Sequence, residues 1–425
     1  MTMPGSFLGG AQDRLLPASV PFRFFLAAAG FQVLAWAALF WGADQLAGYR
    51  GGPGPVLAAI HLATLGVLAM TAIGASYQLL PVVTRRPLAR DWPARLSFWL
   101  LLPGIVAMTW GMAGFEPVTM QIGADLATAG LAVFALLTAD NLRRSGGIPV
   151  VNAHGWLALA ALVALVALGS LLIRDFDGGF LADHAGLAQL HMVVAGFGFM
   201  GVLAIGLSLV LIPMFVLSRS LPAGPGWAQA ALAGLGLGLF ALGTLWQVAA
   251  LKWAALACAT GAAGCYLWLM RSALTTSMRK RLGLPFVMMR LSWGLLAATL
   301  LLAALTLADL GIPNAPALTG FLLVAGWLLT FLTGVLQRIM PFLASMHAAG
   351  KSGLPPLLSD LTAEGPLKLH AACHIAALAL CSAGILADLT LLVQAGAALG
   401  GVGGLAFAVF AVTVATKLAK PGAAG

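Results

Sequence analysis

Read in windows of about 19 residues, the chain alternates between long apolar runs and short polar connections. Twelve runs stand out, near 22–43, 56–82, 94–114, 120–141, 152–173, 185–217, 227–249, 252–271, 288–308, 317–343, 367–387 and 391–416. Each matches what a helix rising 1.5 Å per residue needs to cross a hydrocarbon core of about 30 Å. The pattern therefore predicts an all-α integral membrane protein with about twelve transmembrane helices. No connection is long enough to hold a soluble domain, so residues 1–425 read as one polytopic domain.

A second pattern lies inside the first. From His61, glycines follow at Gly66 and Gly74, then Tyr77 and Pro81. The same offsets from Phe321 give Gly326, Gly334, Gln337 and Pro341, and from Val193 they give Gly198, Gly206, Leu209 and Pro213. Each start opens the second span of a four-span stretch, which predicts three pseudo-equivalent four-helix blocks near 20–145, 150–272 and 285–417. The direct role expected of the glycines is close packing, because small residues let helix backbones approach in lipid.

Composition agrees with the pattern. Hydrophobic residues make up 61% of the 425 and charged residues 8%, and the mean hydropathy is +0.99. The net charge of +9 would point to nucleic acid in a water-soluble chain; here its placement gives topology instead. With both termini cytoplasmic, nineteen basic residues fall inside: Arg14, Arg23, Arg85, Arg86, Arg90, Arg95, Arg143, Arg144, Arg219, Arg271, Arg279, Lys280, Arg281, Arg290, Arg338, Lys351, Lys368, Lys417 and Lys420. Only Arg50, Arg174 and Lys252 fall outside. That bias follows the rule that basic residues gather on the cytoplasmic side, and it explains the charge with the lipid bilayer as partner and no nucleic acid. Trp41, Trp92, Trp227 and Trp253 fall near span ends, where indole favours the interface. The first residues lack the basic-then-apolar layout of a cleaved signal peptide, so the first span is expected to persist in the mature protein. The Ala-, Gly- and Leu-heavy composition fits a bacterial cytoplasmic (inner) membrane.

Candidate chemistry rests on seven histidines. Cys258, Cys265, Cys373 and Cys381 lie in apolar runs with no C-x-x-C pair, which argues against a disulfide framework or a thiolate metal site. The acidic residues sit at span ends, Asp13, Asp140 and Asp360 among them, so no intramembrane proton relay is legible. His61, His184 and His191 are predicted on the outer side, and His154, His347, His370 and His374 on the inner side. Neutral imidazole ligates copper, zinc and haem iron without carrying charge into lipid. His61 and His191 open the second and sixth spans and are the candidates for one polar or cofactor site near the outer leaflet; hydrogen bonding at the interface is the competing reading. His184 is seven residues before His191, about 10.5 Å along a helix, and belongs to the helix cap after Asp183. His370 and His374 share a helix face at i, i+4, a spacing that can chelate a metal and also suits plain packing. His154 is expected to cap the fifth span at the interface. Gln337 and Arg338 are expected to snorkel to the inner face.

Twelve spans in three blocks of four, with histidines opening even-numbered spans, resemble the catalytic subunit of the haem–copper oxidase superfamily. The cb-type cytochrome oxidases and nitric oxide reductases are the nearest forms, with NnrS-type membrane proteins as looser relatives. The resemblance implies that His61 occupies the position of a ligand to the low-spin haem, and that haem b or copper is the cofactor. It also implies departures. The family's H-x-H pair on the tenth helix falls on Thr319 and Phe321, the seventh span lacks the two adjacent copper-binding histidines, and the sixth-helix ligand position falls on Val193. His191 is two residues away, about 200° around a helix and 3 Å along it. A conventional haem–copper centre is therefore not expected, and whether the chain is an enzyme stays open.

Three classes of function follow: a degenerate oxidase relative keeping a haem or copper site with a redox or nitric-oxide-related role; a cofactor-free scaffold or assembly factor partnered with respiratory-chain subunits; or a twelve-helix transporter of small molecules or metals. Transporters are more often built from two halves of six spans, whereas the repeat here is three by four.

Overall fold

A computed structural model describes residues 14–352 and 356–419; Asp13 and Lys420 lie outside the described residues, as does the side chain of Lys351. Twelve helices are long and apolar enough to cross a membrane, and no strand occurs among the described residues. They are Ser19–Trp41, Pro55–Val83, Trp92–Gly114, Pro117–Arg143, Pro149–Gly178, His184–Val216, Ala223–Leu245, Ala249–Thr275, Leu284–Leu307, Ala315–Ala348, Glu364–Ala387 and Thr390–Ala419, here spans 1 to 12. By length and composition this is a multi-pass membrane protein. The helices overrun the apolar runs by a few residues because proline at the first or second position starts several of them outside the oily stretch, as at Pro117 and Pro149.

Spans 2, 6 and 10 form the centre. Their apolar windows are 72%, 72% and 83% buried, against 28–50% for the other nine. Each of the three leaves α geometry for eight residues of π-helix: Leu62–Ala69, Val194–Gly201 and Leu322–Leu329. The stretches in spans 2 and 6 both pack on the one in span 10. Leu323 and Trp327 of span 10 press on Gly196 and Gly201 of span 6, where an added Cβ would come within 2.8 and 2.9 Å of them or of the adjacent backbone. Pro81, Pro213 and Pro341 then fall inside the second half of each central span.

The other nine spans pack around this centre, partly as sequential hairpins: 3 with 4, 7 with 8, and 11 with 12. Their large apolar residues face outward, among them Trp99, Trp110, Leu136 and Leu391, as a lipid-facing surface requires. Span 1 lies between span 2 and span 12. Phe31 and Phe24 of span 1 fill the space left by Gly66 and Gly74 of span 2, each within 2.7 Å of where a Cβ would stand. The segment before span 1 is pinned by Gln78, whose Oε1 accepts from the Leu16 N–H at 2.8 Å and whose Nε2 donates to the Leu16 carbonyl at 3.0 Å.

Candidate functional site

His61 closes a seven-residue α-helical turn, Pro55–His61, and the π stretch starts at the next residue. The turn is fixed at its start by Gly54, which has a φ of 145° that favours glycine and donates its N–H to the Met112 carbonyl of span 3 at 2.8 Å. His61 Nδ1 lies 3.0 Å from the Leu57 carbonyl. A carbonyl only accepts, so Nδ1 carries the proton and Nε2 keeps a lone pair free for a ligand.

His191 sits in the first α segment of span 6, three residues before its π stretch. Its ring centroid is 6.4 Å from that of His61, and the two planes differ by 32°. His191 Nδ1 is buried without a hydrogen-bond partner. Gly169 of span 5 makes room for the ring: a Cβ there would stand 3.0 Å from His191 Cε1. Two imidazoles on opposite sides of one metal ion, with bonds of about 2.0 Å, have centroids about 6.4 Å apart. The centroid spacing therefore equals that of two imidazoles on a single ion.

The remaining histidines separate by environment. His184 is the first residue of its helix, but the cap is Asp183, which accepts from the Gly186 N–H at 2.8 Å. His184 Nδ1 instead pairs with Asp175 Oδ2 at 2.7 Å, closing the loop between spans 5 and 6. His154 is not an interfacial cap. Span 5 begins at Pro149, which carries His154 inside the bundle, where it is buried between the Val150 carbonyl at 2.7 Å and Gln229 Oε1 of span 7 at 2.5 Å. His347 lies 3.0 Å from Gln78 Nε2. Gln337 does not snorkel: it points into the centre of the bundle, and both its amide atoms are buried without partners.

His370 and His374 of span 11 are fully buried, stacked at 5.6 Å with planes 28° apart. Phe407 of span 12 covers His370 at 5.0 Å, and Trp36 of span 1 meets His374 edge-on at 6.4 Å. Thr330, not singled out in the sequence, lies 2.7 Å from His374 Nε2; a pair of threonines in an apolar run, TFLT, is the only signal it gives. Thr319 and Phe321 are occupied structurally, Thr319 donating to the Ala315 carbonyl at 2.8 Å and Phe321 packing in the core. No group of three or more His, Cys, Asp or Glu that could hold a metal occurs among the described residues, so His61 with His191 and His370 with His374 are each two-ligand arrangements. The four cysteines are free; Cys381, buried, donates weakly to the Val393 carbonyl at 3.7 Å.

No protein-family model matches the chain, and no curated protein matches its sequence.

Proposed function

We propose that this protein is a haem–copper-oxidase-like protein of a bacterial cytoplasmic membrane that keeps one transition-metal site, His61 with His191, and serves a redox or nitric-oxide-related role. The carrying observation is that two histidines 130 positions apart meet with ring centroids at 6.4 Å. The proposal takes the chain as three four-helix blocks with both termini cytoplasmic. Its support is the π stretch that begins one residue after His61, Val193 and Phe321, the three positions aligned by the repeat.

Copper or haem iron bound there would supply one-electron chemistry. The chain's own contribution is orientation. Leu57 holds the proton on His61 Nδ1 and leaves the lone pair on Nε2, and Gly169 admits the His191 ring. Fixing the tautomer through the second ring nitrogen is the usual way a protein prepares a histidine ligand.

The test is optical and elemental. Protein purified in detergent is scanned oxidised and dithionite-reduced, with metal analysis of the same sample. A Soret band identifies haem, and stoichiometric copper without one identifies a copper ion. Absence of both defeats the redox reading, and a His61→Ala variant with unchanged metal content removes His61 from the site.

A cofactor-free scaffold or assembly role is the second reading. It draws on Thr319 and Phe321, which leave the tenth-span ligand positions without imidazole. Co-purification of a respiratory-chain subunit with metal-free protein supports it.

A further inference from the structure

Where span 8 passes into span 9, twenty residues carry five cations: Arg271, Arg279, Lys280, Arg281 and Arg290. No acid accompanies them, since the chain holds neither aspartate nor glutamate between Asp183 and Asp309. Elsewhere cations have carboxylates beside them: Arg95 has Asp91, Arg144 has Asp140, Arg174 has Asp125 and Lys368 has Glu364. None of the five makes an ion pair among the described residues. Arg338 of span 10 adds to the excess, close enough to Arg279 for their charges to repel. Water satisfies guanidinium donors without neutralising their charge, and an anion does both.

Membrane orientation accounts for part of the cluster. Arg279, Lys280 and Arg281 lie in the connection between Thr275 and Leu284, where the bias toward one side places basic residues. That bias does not call for cations inside the spans. Arg271 and Arg290 are inside them, about 6 Å and about 9 Å along the helix from the ends that meet the connection. Both line one open hollow of about 400 Å³, one from each helix, together with Leu267, Leu274, Thr275 and Trp293. Its walls are already fixed. Trp293 Nε1 of span 9 donates to the Tyr266 hydroxyl of span 8 at 3.1 Å. The Ser277 hydroxyl donates to the Val216 carbonyl of span 6 at 3.0 Å and accepts from the Arg279 N–H at 3.1 Å, which ties the connection down.

Toward the middle of the two spans, the faces that carry these arginines are open and apolar. Gly264 is seven residues before Arg271 and Gly294 four after Arg290, each on its arginine's own helix face. A Cβ added at either meets nothing within 4 Å. Trp268 and Leu301 are exposed along the same faces. We propose that this hollow binds an anionic glycerophospholipid, with its phosphate diester between Arg271 and Arg290 and its acyl chains over Gly264 and Gly294. A guanidinium offers paired donors that match phosphate oxygens, and basic pockets between membrane helices suit anionic headgroups. A free phosphate would engage the arginines and leave the apolar faces bare. The inference needs only the multi-pass character of the chain and does not depend on the His61–His191 reading.

The experiment titrates the full-length protein in detergent with phosphatidylglycerol, with phosphatidylcholine of the same chains, and with inorganic phosphate. Native mass spectrometry counts bound lipid, and thermal unfolding is followed in parallel. Phosphatidylglycerol should bind more tightly than phosphatidylcholine and raise the melting temperature, and inorganic phosphate should not raise it. Arg271→Gln/Arg290→Gln should weaken phosphatidylglycerol binding about 25-fold, about fivefold for each basic residue removed from an anionic surface. Arg90→Gln/Lys368→Gln removes the same charge from exposed positions at the same end of the bundle and should leave binding unchanged. Gly294→Phe keeps every charge and should weaken the lipid by crowding its chains. Equal binding of the two lipids, equal losses in the two double variants, or equal protection by inorganic phosphate would each overturn the proposal. Should Arg271→Gln/Arg290→Gln not be monodisperse, a photoactivatable phosphatidylglycerol on the unaltered protein decides: adducts within 264–301 support the site, and adducts only elsewhere overturn it.

Discussion

At the scale of single residues, buried polar contacts make the sharpest predictions. His154 and Gln229, both buried, tie span 5 to span 7. Replacing His154 by Leu strands the Gln229 amide, which costs about 1–3 kcal/mol, and removing both partners restores most of that loss. Thermal unfolding of His154→Leu, Gln229→Leu and the double variant measures the coupling; additive losses would mean the bond contributes nothing. Gly169 gives a prediction of another kind, since it lies against the ring of His191, a ligand in the proposed site. Gly169→Leu should push the His191 ring aside and empty the His61–His191 site while the protein stays monodisperse, read as metal content per chain. The histidines were legible as candidates because imidazole is rare in oily runs. Which of them meet was not, since partner choice depends on helix rotation. His154 looked interfacial only because Pro149 starts its helix earlier than the apolar run does.

At the scale of elements, the spans were legible to within a few residues, because a bilayer requires long unbroken apolar helices and tolerates no lipid-exposed irregular backbone. The π stretches were invisible: LATLGVLA, VAGFGFMG and LLVAGWLL have the composition of any packed span. Their spacing was nonetheless on the page as the offset of the glycines. Deleting one residue from Leu62–Ala69 should return span 2 to α geometry and shift His61 in both height and direction relative to the rest of the helix. The expected outcome is a folded protein without metal at His61, checked by metal analysis alongside size-exclusion chromatography. The packing glycines themselves differ in cost. Gly74→Leu must displace Phe24 and is expected to destabilise by about 1–3 kcal/mol. Gly238, with nothing within 4 Å of an added Cβ, should gain up to about 1 kcal/mol as Ala from helix propensity alone. Equal melting temperatures for the two variants would show that the central spans are looser than their contacts imply.

Across the whole molecule, charge and geometry point the same way. If all twelve apolar helices cross the bilayer, Ser19 and Ala419 lie on one side, and the arginines gather with them. At that end they are held by specific contacts: Arg86 Nε donates to the Arg144 carbonyl at 2.9 Å, Asn141 Nδ2 to the Arg86 carbonyl at 2.8 Å, and Arg144 pairs with Asp140 at 2.5 Å. The opposite end carries Arg174 with Asp125 at 2.8 Å and the His184–Asp175 pair. If basic residues set orientation, the cluster of Arg85, Arg86, Arg143 and Arg144 faces the cytoplasm and His61 lies toward the outside, where a metal would arrive without crossing the bilayer. The four native cysteines permit a direct test once replaced. In that background a single cysteine at Leu310 or Leu389 should react with an impermeant maleimide in intact cells, while one at Ser145 or Ser220 should react only after permeabilisation. The reverse pattern would put His61 on the cytoplasmic side, and a metal for the proposed His61–His191 site would then have to come from the reducing interior.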